Sequence, residues 1–184
     1  LFQDGLQPEF PRTLLTIAMC QVAMEHAESQ RVLIRAGCNV TALSLVRLQF
    51  EALVRAIWLH HGATDEWIAG FSAPMEPTQL AEPIGSPPVD SMLQKLDSTA
   101  PPPILKMLRD FKTSTWAPMN SYVHGGVRAV VQSLAGCKPS QLISVLLNAN
   151  GMALLTANVF VVSCKDSRLS GRISRIQTAY LDCL

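Results

Sequence analysis

Apolar residues recur along this chain at helical spacing, and glycines and prolines punctuate them. Residues 13 to 36 read as one helix, opened by Pro11 and closed by Gly37; residues 39 to 61 read as a second, with Asn39 as N-cap and Gly62 as the stop. Together they predict an antiparallel hairpin. A short helical piece starts at Thr64. Residues 72 to 103 hold eight of the twelve prolines, which predicts a loop or lid broken only by a turn or two of helix around Asp90 to Leu96. Helical pattern resumes from Pro103 to about Thr115, around Tyr122 to Leu134, from Ser140 to Cys164 and from Ser167 to Leu181. No run alternates with period two across several segments. The expectation is an all-α bundle of five to six helices in a single domain over residues 1–184, with one long proline-rich excursion.

The second helix is the most informative. At about 100° per residue, Arg47, Glu51 and Arg55 fall within an arc of about 80°, and apolar residues line both sides of that strip. Leu43, Val46, Phe50, Leu53 and Ile57 form one flank, and Leu45, Leu48, Ala52, Ala56 and Leu59 the other. A helix apolar on two flanks belongs at the centre of a bundle, so its charged strip either reaches a cleft or is paired inside. Two readings follow: Glu51 bridging an arginine one turn away on each side, or an anion site in which Glu51 orients an arginine fork toward phosphate or carboxylate.

Composition narrows the function. The 184 residues are 48% hydrophobic, enough for a sizeable core, and a net charge of +1 gives no global field that would recruit nucleic acid or an anionic membrane. Five cysteines are scattered without zinc-ligand spacing and read as reduced core residues of a cytoplasmic protein; no basic-then-apolar leader is visible. No metal or cofactor is expected. Residues 142 to 164 approach the roughly 20 apolar residues of a bilayer span, but Asn148, Asn150, Asn158 and Gly151 favour a buried core helix, so no membrane partner is expected.

The chemistry-bearing stretch is Asn-Ser-Tyr-Val-His-Gly-Gly, residues 120 to 126, where a helix is expected to end because glycine supplies positive φ at no steric cost. His124 is either a turn histidine bonded to a neighbour or a general acid or base, with Asn120, Ser121 and Tyr122 as polar company. The hydrolase nucleophile motif Gly-x-Ser-x-Gly is absent. His60 and His61 end the second helix, where a cation suits the carbonyl end of the dipole, and His26 beside Glu25 has no metal-site spacing. On the last helix Arg168, Arg172 and Arg175 recur on one side, a solvated face or else a local contact for RNA phosphates.

The long helix with its Arg-Glu-Arg strip, followed at a distance by Asn-Ser-Tyr-Val-His-Gly-Gly, resembles uncharacterised bacterial helical families related to the HEPN domain, over about residues 13 to 164. That resemblance implies a helical bundle, a homodimer, and an RNA-cutting toxin or defence effector in which His124 is catalytic. The HEPN pattern places an arginine four to six residues before the histidine, whereas positions 117 to 120 here are Ala, Pro, Met and Asn. Arg47, Arg55 or Arg109 would have to take its place through the fold. The alternative is a non-catalytic helical protein that binds a partner or small ligand, with Arg47, Glu51, Arg55 and His124 as internal struts.

Overall fold

The computed structural model describes residues 11–73 and 85–184. Eight α-helices and a terminal 3-10 turn follow one another: α1 (Pro11–Arg35), α2 (Asn39–His61), α3 (Asp65–Phe71), α4 (Val89–Leu96), α5 (Pro102–Val123), α6 (Val127–Ala135), α7 (Pro139–Cys164) and α8 (Ser167–Ala179). The described residues are all-helical, as the apolar spacing predicts, but with eight helices instead of five or six. Two of the additions are short: Thr64 caps α3 by accepting the Trp67 N–H at 3.2 Å, and α4 buries Val89, Met92, Leu93 and Leu96 on one side. The latter is the two-turn helix expected within the proline-rich excursion; residues 74–84 of that excursion lie outside the described residues.

α2 is the central helix. It packs against α1, α4, α5 and α7, and Phe50, Leu53, Val54, Ala56, Ile57 and Leu59 are essentially inaccessible to solvent. The two apolar flanks seen in the sequence are therefore both covered, except near Leu48, which stays exposed. Phe50 sits against Phe111 with ring centroids 5.1 Å apart and meets Trp116 edge-on at 6.4 Å, which fixes α5 over α2. Trp58 meets Trp67 edge-on at 4.7 Å and anchors α3.

One buried polar bridge ties three helices together. Gln30 Nε2 of α1 donates to Gln49 Oε1 of α2 at 2.7 Å, and Gln49 Nε2 donates to the Ala149 carbonyl of α7 at 3.0 Å. Both side chains are fully buried, so partners must come from inside the protein; Gln30 Nε2 and both polar atoms of Gln49 find them, whereas Gln30 Oε1 has no partner among the described residues. Gln49→Ala removes an acceptor from Gln30 and opens a cavity in the core; a loss of about 2–3 kcal/mol is expected. Urea unfolding measures it, and an unchanged midpoint would show that the bridge contributes nothing.

Several expectations need correction. Asn39 is the first residue of α2 and its side chain makes no cap: Cys38 is the N-cap and Asn39 Oδ1 is buried without a partner among the described residues. α5 does not stop near Thr115 but runs through Pro118 to Val123. Of the five cysteines, all free, only Cys20 is buried in the core, where burial pushes its thiol up to about 12; Cys38 and Cys183 are exposed. α7 is long and apolar enough to cross a membrane by length and composition; here it lies along α1 and α2 and buries Val145, Ala149, Met152, Thr156 and Val159.

Candidate functional site

The site forms where the C-terminal end of α5 crosses the middle of α2. α5 ends in a Schellman turn: the Gly126 N–H donates to the Ser121 carbonyl at 2.7 Å, Gly125 takes φ +64°, and His124 is the C-cap. A methyl group at Gly126 would lie 2.7 Å from Ser121 Oγ and 3.2 Å from the Ser121 backbone, so the chain can turn this tightly only without a side chain. The two glycines thus hold His124 at the last turn of α5, exposed to solvent, and start α6 straight afterwards.

Arg47 reaches this point from α2. Its Nε donates to Glu51 Oε1 at 2.6 Å, one turn along the same helix, and its Nη1 lies 2.7 Å from Asn120 Oδ1 and 3.0 Å from His124 Nε2. The guanidinium carbon also sits 4.7 Å from the centroid of the Trp116 ring. Glu51 and Trp116 fix the arginine plane from two sides, and Asn120 and His124, one turn apart on α5, receive its outer edge. Among the described residues Arg47 Nη2 takes no hydrogen bond, so one end of the fork remains for an oxyanion. A guanidinium only donates; His124 Nε2 is therefore the acceptor at this contact, and the imidazole here is neutral with its proton on Nδ1.

The sequence-derived residues divide clearly. Arg47, Glu51, Asn120 and His124 come together. Arg55 does not join them: two turns further along α2, it makes no ion pair among the described residues, and Glu51 pairs with Arg47 alone rather than bridging two arginines. Arg109 is engaged elsewhere by both oxygens of Asp97 at 2.8 Å. Ser121 Oγ accepts the Arg128 N–H at 3.0 Å and so caps α6, and Tyr122 is half-buried against the core. Both have structural work. On α8, Arg168 is held by Asp166, its Nη2 2.8 Å from Oδ2, while Arg172 and Arg175 are exposed; α8 packs on α7.

Two residues the sequence reasoning missed belong to the site. Trp116 faces both Arg47 and Lys112, whose Nζ lies 4.8 Å from the ring centroid and 2.8 Å from Asp90 Oδ1. Lys112, Trp116, Asn120 and His124 recur every fourth residue, one stripe along α5. That stripe is visible in the sequence only if the helix is carried through Pro118.

Among the described residues no cluster of three or more His, Cys, Asp or Glu side chains is found. His60 Nδ1 lies 3.1 Å from Ser163 Oγ, whose own proton goes to the Val159 carbonyl at 2.8 Å, so His60 Nδ1 is the donor of this pair. Burial holds His60 below its ordinary value of 6.5, helped by neighbouring His61 and Arg12; burial lowers His61 and His26 as well. The cationic cap expected at the end of α2 is thus disfavoured. A histidine whose folded pKa lies below its unfolded value binds protons more readily when unfolded. Its stabilising share is complete above pH 6.5 and is lost as pH falls from there through the lowered folded values. The urea midpoint is expected to drop on acidification below about pH 6.5, and less steeply in His60→Asn; identical profiles would remove His60 from the account.

A family model described as a family of unknown function, DUF6988, matches residues 20–184. The chain belongs to DUF6988. The match spans α2 and α5 in full, so both halves of the Arg47–His124 contact lie inside the DUF6988 region. Comparison with curated proteins and with solved structures gave no match.

Proposed function

We propose that this DUF6988 protein is an RNA-acting effector that cleaves phosphodiesters at the Arg47–Asn120–His124 site. The observation that carries the reading is the 3.0 Å contact between Arg47 Nη1 and the Nε2 of an exposed histidine, with Glu51, Asn120 and Trp116 holding the guanidinium in place. The arrangement supplies across the fold the arginine that a HEPN-like histidine motif lacks in its own helix. Arg47 would bind the scissile phosphate through its free edge and steady the charge that develops on it. Exchange of the Nη1–His124 bond for one to a phosphate oxygen would free His124 Nε2 to take the proton of the ribose 2′-hydroxyl. The 2′ oxygen then attacks phosphorus, the bond to the 5′ oxygen breaks, and that oxygen takes a proton from water while His124 returns its own. The products are a 2′,3′-cyclic phosphate and a 5′-hydroxyl.

The test is a single-stranded RNA offered beside its DNA counterpart. Cutting of RNA to cyclic-phosphate ends, with DNA left intact, supports the reading; cutting of both shows that the 2′-hydroxyl is not the nucleophile. A second reading, a non-catalytic protein in which these side chains are struts, draws on the number of partners Arg47 already has. It predicts no cleavage of either strand.

A further inference from the structure

A cavity lies between α1, α7, α8 and the C-terminal turn and shares no lining residue with the Arg47–Asn120–His124 site. Small side chains on α7, Ala153 and Ala157, one turn apart, stand opposite Ile173 and Ile176 of α8. The helices cannot close this gap, and a cavity of about 430 Å³ remains, within the range of about 300–1,000 Å³ usual for small-molecule sites. Met24 of α1 forms a flexible wall. Ile176 and Tyr180 are more than half exposed at its rim, apolar surface that a free helix would ordinarily bury.

The polar lining is confined to a few groups, and Arg31 carries the only charged side chain among them. Arg31 is half-buried. Nη2 donates to Asn150 Oδ1 at 2.7 Å and Nη1 to Glu28 Oε2 at 3.1 Å; Asn150 in turn donates to the Cys183 carbonyl at 2.8 Å. Those two bonds use two of the five guanidinium N–H groups, and the other three take no partner among the described residues. An apolar cavity with one oriented cation suits a ligand with the opposite plan: an apolar chain ending in a single carboxylate. We infer that this cavity binds a small carboxylate amphiphile of the acyl-chain type, its head on Arg31 and its chain between Ala157 and Ile176. Isosteric ligands without the charge fit the same space but offer no oxyanion to the three Arg31 N–H groups that Glu28 and Asn150 leave open.

Calorimetric titration with decanoate, and with 1-decanol as the uncharged control, tests the inference on the intact chain. Wild type should bind decanoate saturably and at least tenfold more tightly than decanol. Arg31→Met should bring the two ligands level. Ile176→Glu, at an exposed rim position whose substitution leaves the core intact, should weaken decanoate at least tenfold at unchanged thermal stability. If Arg31→Met unfolds, the decanol comparison and Ile176→Glu still decide. Absence of saturable decanoate binding, equal affinity for decanol in wild type, or affinity unchanged by Ile176→Glu would each overturn the inference.

Discussion

Arg47→Lys should lower RNA cleavage by about 10²–10³-fold while leaving the helical signal intact. Lysine keeps the charge but is a point donor on a flexible stem. It cannot serve Glu51 from a secondary nitrogen, lie against Trp116 as a plane, and present a second edge to phosphate at once. Arg47→Ala should be as inactive and less stable, by about 1–3 kcal/mol, because Glu51 and Asn120 lose the donor that both accept from. Single-turnover cleavage and urea unfolding separate the two effects. Retention of near wild-type cleavage in Arg47→Lys would mean that charge alone suffices and that the fork geometry is incidental.

The largest effect on stability is expected at Phe50. Phe50→Ala should cost about 3–5 kcal/mol, since the ring is fully buried at the centre of α2 and its removal leaves a cavity that flanking helices cannot fill. The damage should not stay local. Phe111 and Trp116 both lean on Phe50, and Trp116 is the surface on which the Arg47 guanidinium rests. A folded Phe50 variant, examined well below its melting temperature, should therefore also lose cleavage, whereas a core truncation of comparable cost far from α5, Ile68→Ala at about 2–5 kcal/mol, should not. Equal activity in both would separate the aromatic cluster from the site.

Much of the fold was legible because burial imposes its own spacing. α2 was readable as central from its two apolar flanks, and α1, α7 and α8 from helical periodicity bounded by glycine, proline and polar caps. α5 was not. Pro118 removes an N–H and crowds the carbonyl four residues earlier, a cost of about 3 kcal/mol in a helix interior, so the sequence argues for a break there. The helix continues because Leu108 and Met119 are buried on either side of that point, and tertiary burial outweighs the local rule. The same local rule hid the Lys112, Trp116, Asn120, His124 stripe.

The site itself was half legible. The turn at His124 follows from its two glycines, and Arg47 was singled out by its strip, but nothing local distinguishes Arg47 from Arg55. That choice is made by the packing of α5 on α2, which joins residues 77 positions apart. Sequence spacing along one helix carries no record of which turn a distant helix will cross. The Asn39 cap failed for a related reason: the residue has the right side chain, but the chain enters α2 one position earlier, at Cys38.

The measurement that bears most directly on the account is single-turnover cleavage of single-stranded RNA by wild type and His124→Ala, with thermal unfolding recorded for both proteins. His124 is exposed at a helix end, so its removal should leave the fold standing. Cleavage by wild type together with its loss in a variant that melts within a few degrees of it is the predicted result. No cleavage by either protein, with His124→Ala melting several degrees lower, would contradict it and make the Arg47–His124 contact a strut between α2 and α5.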